Sequence, residues 1–161
     1  MLKAESYIFQ GLKALRENRP DEAFEHFEKS FHEDDSSAIP LAWMGHIKSN
    51  YFKDDAGAEK LFTSAIEKDA SYAETYLFYA DLLFRHERFA EFNAVINKAS
   101  AISGVSKDKV NHLSGLLQEA QGKLDEAVAY YKKAILSGFD NDLIAVYERA
   151  IDRCAVKKKY I

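Results

Sequence analysis

A single cysteine, Cys154, cannot close an internal disulfide, so nothing in the chain depends on an oxidising compartment. Only two prolines and seven glycines interrupt it, which leaves long stretches rich in alanine, leucine, glutamate and lysine and favours helices throughout. Strict polar–apolar alternation never lasts long enough to suggest a sheet. No apolar run approaches the roughly 20 residues of a membrane span. The opening Met-Leu-Lys-Ala-Glu-Ser also lacks the apolar stretch of a signal peptide, so no membrane insertion and a cytoplasmic location are expected. Neither sign of charge dominates: 26 acidic and 22 basic side chains are interspersed, for a net charge of -4, and such a surface repels a phosphate backbone on average. Nucleic acid is therefore not an expected partner. Lys157, Lys158 and Lys159 are read as a solvated helix end that complements the helix dipole.

Signatures of chemistry are equally scarce. There is no GxxxxGK[ST] cradle, no GxGxxG and no GxSxG elbow. His26, His32, His46, His86 and His112 are dispersed, and none belongs to an HExxH pair. His112 and Ser114 are two apart on a helix and point in divergent directions. Glu33-Asp34-Asp35 and Asp54-Asp55 sit where helices should begin near Ala38 and after Asp55, so they are expected to cap those helices rather than hold calcium. No catalytic, cofactor-binding or metal-ligating residue is expected, and no cofactor.

What the chain does contain is a repeat. RPDEAFEHFEKSF (19–31), AGAEKLFTSAI (56–66) and KLDEAVAYYKKAI (123–135) place Ala23, Ala58 and Ala127 four residues before Phe27, Phe62 and Tyr131, and seven before Ser30, Ala65 and Ala134. A weaker copy at 88–100 has Phe92, Ile96 and Ala99 in those places. The spacing of 35, 34 and 35 residues between Ala23, Ala58, Phe92 and Ala127 predicts four repeated units. Each of these segments follows another amphipathic stretch, so the unit is a helix pair. Gly11, Ala80 and Gly115 lie twelve residues before Ala23, Phe92 and Ala127. Small side chains so matched let two backbones approach to about 8 Å, with the aromatic filling the space beside the crossing. Two irregularities stand out. Phe92 occupies an alanine place, so the third pair is expected to separate locally or turn that ring away. In the second unit the glycine is Gly45, whereas the spacing points to His46, which implies one extra residue around Lys53 to Gly57.

This pattern resembles the tetratricopeptide repeat, most fully in the fourth unit, where Gly115, Gly122, Ala127, Tyr131 and Ala134 all fall in signature places. The resemblance implies an all-α fold: a right-handed α–α superhelix of four helix pairs forming one domain over 1–161. Its repeats would cover 4–37, 38–72, 73–107 and 108–141. A helix over 142–157, with the stripe Leu143, Val146, Tyr147, Ala150, Ile151 and Cys154, would cap the open end. Cys154 is then a small core hydrophobe.

In such a fold the first helix of each pair lines a concave groove. The family's first-helix positions carry over to Ile8, Leu12 and Arg16; to Trp43, Ile47, Asn50 and Tyr51; to Leu77, Asp81, Phe84 and Arg85; and to His112, Leu116 and Glu119. An apolar groove of this kind implies a noncatalytic protein-interaction scaffold or adaptor that holds a peptide or helix of another protein. A groove-binding chaperone and a self-assembling structural subunit are the alternatives, and homo-oligomerisation remains open. Burying about 300–400 Å² of apolar surface there would contribute roughly 8–10 kcal/mol before association costs. The family members that bind chaperone C-terminal carboxylates use a lysine and an asparagine at places held here by Ile8 and Leu12, so that subtype is not expected. Trp43 is either a groove residue or a core residue.

Overall fold

The computed structural model describes residues 2–161, and among them every regular element is helical. The order is α1 (Lys3–Arg16), α2 (Pro20–Glu33), α3 (Ala38–Asn50), α4 (Asp55–Lys68), α5 (Ala73–Arg85), α6 (Phe89–Ser100), α7 (Lys107–Ala120), α8 (Leu124–Ser137) and α9 (Asn141–Lys157), ending in a 3₁₀ turn, Lys158–Tyr160. The architecture is an all-α solenoid of paired helices with α9 as a C-terminal cap. Two compact units, Met1–Leu82 and Leu83–Ile161, divide within α5.

In the first unit the glycines of α1 and α3 each receive an aromatic ring from the following helix. A β-carbon on Gly11 would lie 2.8 Å from the Phe27 ring, and one on Gly45 2.6 Å from Phe62. Both rings are wholly buried. The small residue thus serves the ring directly, letting it rest on bare backbone, and does more than bring two backbones together. Around Phe27 cluster Ala14, Ala23, Leu41, Ala42, Met44 and Ile47, a core built from α1, α2 and α3. Ser30, third in the repeated stripe, is polar yet buried because its Oγ donates to the Ala4 carbonyl oxygen at 2.9 Å.

The glycine of the second repeat is Gly45, and the structure absorbs the offset in the turn. In the turns after α1, α5 and α7 a left-handed residue closes the helix: Asn18 at φ 56°, Glu87 at 56° and Gly122 at 76°. The next N–H then bonds five residues back, Arg19 to Ala14, Arg88 to Leu83 and Lys123 to Gln118, each at 2.9 Å, which satisfies carbonyls the helix end would orphan. After α3 the left-handed residue is Lys53 at φ 58°, and Asp54 N reaches six residues back to Lys48 O at 2.9 Å. The extra residue is housed in that wider loop.

Asp54 caps α4 as expected, its Oδ1 accepting from Gly57 N at 2.9 Å while Lys48 Nζ bonds Oδ2 at 2.6 Å. The acidic cluster before α3 behaves differently from expectation. Ser37 is the cap, its Oγ accepting from Ile39 N at 3.3 Å, and Asp34 instead folds the preceding turn by accepting from Ser36 N at 3.0 Å. Asp69 repeats this turn one helix pair later, accepting from Ser71 N at 2.8 Å.

In the second unit Gly115 pairs with Tyr131, whose ring would stand 2.5 Å from an added β-carbon. Phe92 does not turn its ring to solvent: it is wholly buried, with the Phe84 ring centroid 5.6 Å away and Phe84 in turn 5.7 Å from Phe89. The three phenylalanines pack ring to ring. Helix α9 begins where Asp140 Oδ1 accepts from the Asp142 and Leu143 amides, and it buries Tyr147, Ala150 and Cys154. Ala150 and Cys154 join the cluster around Leu124, Ala127 and Tyr131. Burial raises the Cys154 thiol pKa, which suits a packed hydrophobe and not a nucleophile.

Candidate functional site

Within the first unit, α1 and α3 border an open apolar groove of about 470 Å³, lined by Phe9, Leu12, Leu15, Arg16, Trp43, His46 and Tyr51. That volume falls inside the roughly 300–1,000 Å³ range of ligand-holding clefts. Its floor is made of half-buried Leu12, Leu15 and Trp43, and its rim of Phe9 and Tyr51, which are 58% and 42% exposed. Large rings left this open meet water that a partner could displace. Phe9, Leu12, Lys13 and Arg16 stand at i, i+3, i+4 and i+7 of α1, so rim, floor and cations share one helical face.

Trp43 belongs to both groove and core. Its indole lies 6.0 Å from Phe27 and stacks on it, meets Phe78 edge-on at 4.9 Å, and donates Nε1–H to the Tyr72 hydroxyl at 3.3 Å. Removing it would hollow the first unit as well as the groove. His46 is held beside it, the rings 5.7 Å apart, and Asn50 Nδ2 lies 3.1 Å from His46 Nδ1.

Of the residues the sequence proposes, Leu12, Arg16, Trp43 and Tyr51 line this concavity, and Phe9, Leu15 and His46 line it beside them. His46 was legible from Gly45, since it follows the register-setting glycine directly, as Leu12 follows Gly11. Leu15 lies one helical step beyond Leu12. Phe9 carried no signal except its adjacency to Ile8. Ile8 itself is half-buried and packs on the core around Phe27. Ile47 and Leu77 need correction: both are buried, Ile47 completely, so neither side chain has surface to offer a ligand. The offset of one residue in the second repeat is the reason for Ile47. Asp81 and Arg85 are exposed on α5, and Phe84 is occupied with Phe89 and Phe92.

Glu119 is buried beneath the capping helix, and half-buried His112 meets that helix at Tyr147. Glu119 accepts from Arg153 Nε and Lys157 Nζ on one oxygen and from Arg153 Nη2 and Tyr131 Oη on the other, each at 2.7 Å. Burial pushes this carboxyl's pKa up, but the bonds from Arg153, Lys157 and Tyr131 outweigh it and hold the value at about 2. The His112 ring lies 5.0 Å from Tyr147 and 5.8 Å from Tyr131; burial lowers its pKa, and the Arg153 charge adds to that. At the other end of α7, Asp108 Oδ2 accepts from the Tyr147 hydroxyl at 2.9 Å. Leu116 is half-buried against the cluster around Tyr131. These polar groups fasten α9 to α7 and α8. Lys157 and Lys158 are likewise ion-paired, with Glu119 and Asp125, rather than simply solvated.

Among the described residues, no group of three or more His, Cys, Asp or Glu could hold a metal ion, and no helix is long and apolar enough to cross a membrane. A second concavity of about 640 Å³ lies over α2 and α4, where Phe24, Phe31, Leu41 and Leu61 are crossed by Glu28, Lys60 and the Lys48–Asp54 ion pair. Its apolar floor is more interrupted than that of the groove beside Trp43.

No family model matches the chain, and no curated protein does. Solved structures do. PilF of Pseudomonas aeruginosa is 20% identical with a TM-score of 0.81, over 98% of this chain and 69% of its own. The Cut9–Hcn1 hetero-tetramer of the APC/C gives 17% identity and a TM-score of 0.87, over 98% of this chain and 31% of the other. A tetratricopeptide repeat protein from Parabacteroides merdae gives 21% and 0.75, over 95% of this chain and 58% of the other. The chain therefore spans less than two thirds of the latter two. Likeness at these identities is likeness of fold: an all-α solenoid of the tetratricopeptide kind.

Proposed function

We propose that the chain is a noncatalytic protein-interaction scaffold whose first unit docks a segment of another protein in the groove between α1 and α3. The observation that carries this reading is the groove's rim: Phe9 and Tyr51 are exposed rings above an apolar floor of Leu12, Leu15 and Trp43. Aromatic anchors around a dry floor are what concentrate binding energy at protein interfaces. The solved chains of similar fold include one taken from a hetero-tetramer, which supports a role in assembly. Selection of binders from a displayed library of random peptides tests the reading. Wild-type binders should be lost by Phe9→Ser and by Tyr51→Ser, both with unchanged helical circular dichroism. Retention of all selected peptides by both variants would reject the groove.

A further inference from the structure

Resting on that reading, we infer that the groove selects partner segments in which bulky apolar side chains are flanked by carboxylates. No carboxylate is found among the residues lining the groove, whereas Arg16 is. Arg16 is exposed and makes no ion pair among the described residues; its pull on neighbouring Glu17 acts through space, and that carboxylate is held by Arg19. Lys13, exposed and three residues before Arg16 on the same face of α1, adds a second cation one helical turn away. A chain with net charge -4 thus presents a locally positive apolar cleft, so an acidic segment gains there what the rest of the surface denies it. Phe9, Trp43 and Tyr51 take the apolar side chains, and the guanidinium of Arg16 takes a carboxylate, in a fork it can fill with two parallel bonds. A lysine-flanked segment of the same shape would set like charges together and leave Arg16 unpaired.

The test uses the chain's only tryptophan, Trp43, as its own fluorescent reporter in the groove. Three acetylated, amidated twelve-residue peptides would carry leucine and phenylalanine at four-residue spacing, flanked by aspartates, by asparagines or by lysines. Each is titrated into the wild type, Arg16→Glu and Phe9→Ser at 50 mM and 500 mM salt. The expected result is binding of the aspartate peptide about tenfold tighter than the lysine peptide at low salt, a difference of roughly 1.4 kcal/mol. That preference should shrink at high salt and invert in Arg16→Glu. Equal binding of the three peptides, all abolished by Phe9→Ser, would overturn the charge selection and leave the docking groove standing. Binding of the aspartate peptide that Arg16→Glu does not weaken would overturn it too. No change in Trp43 emission with any peptide would remove both the selection and the groove.

Discussion

Replacing Gly115 by alanine should destabilise the second unit, although alanine is the better helix former. The exchange gains about 1 kcal/mol of intrinsic helix propensity. Against it stands a methyl group placed 2.5 Å from the Tyr131 ring, far inside contact distance. The ring has little room to retreat, since it is wholly buried and its hydroxyl is tied to Glu119 at 2.7 Å. Overpacking of a closed core costs about 1–3 kcal/mol, and a tethered ring puts this site in the upper part of that range, at about 2–3, so the net loss should be about 1–2 kcal/mol, or roughly 3–6 °C in Tm for a chain of this length. Gly11→Ala makes the comparison, because Phe27 carries no hydroxyl to tether it and an added β-carbon would stand 2.8 Å away. Its loss should be the smaller of the two. Urea unfolding followed by far-ultraviolet circular dichroism measures both, and amide exchange on α7 and α8 places the first. In the Tyr131→Leu background the Gly115→Ala penalty should vanish. A Gly115→Ala protein as stable as the wild type, or a penalty unchanged by Tyr131→Leu, would refute the reasoning that these glycines exist to seat rings.

Glu119→Gln should loosen α9 at a cost on the order of 3 kcal/mol, because the buried carboxylate collects charged donors from that helix; hydrogen exchange of α9 reads it. Since the folded pKa of Glu119 is depressed to about 2 from an ordinary 4.5, its stabilisation is full above pH 4.5 and fades as pH falls from there towards 2. The same variant should flatten the acid limb of a stability–pH profile over that window. At the left-handed turn positions, Glu87→Gly should stabilise and Gly122→Ala destabilise, each by about 1 kcal/mol, as thermal denaturation would record. Trp43→Ala should lower stability by about 3 kcal/mol as well as abolish peptide binding, whereas Phe9→Ser should abolish binding alone; unfolding curves run beside the titrations separate the two.

Periodicity made the helix pairs legible because small residues and rings recur in step: spacing matched Gly11 with Ala23 and Gly115 with Ala127, whereas the seating of Phe27 and Tyr131 directly on those glycines is visible only in the structure. The capping helix was legible for the same reason, its stripe of Tyr147, Ala150 and Cys154 lying buried as read. What spacing could not carry was anything decided by side-chain reach. Glu119 occupies a groove position by count, yet Arg153 and Lys157, 34 and 38 residues later, turn it into an internal counter-ion. Phe92 breaks the small-residue rule by count, and two more phenylalanines fill in around it. Counting from Ala58 missed His46 as a groove residue, while counting from Gly45 finds it. The position of the glycine that seats a ring is thus the better ruler.

The hold of Glu119 on two cations of α9 has a consequence for how such an array can lengthen or be cut. A chain severed at Gly138 would lose both cations and the cover they hold in place, opening the apolar surface around Ala127 and Tyr131 to water, so dissection of this molecule has to keep everything through Lys157. Growth is limited in the same way. A copy of α7 and α8 grafted after α8 at the 35-residue spacing would bring Gln118 and Gly122 to the places of Arg153 and Lys157, leaving Glu119 without either cation.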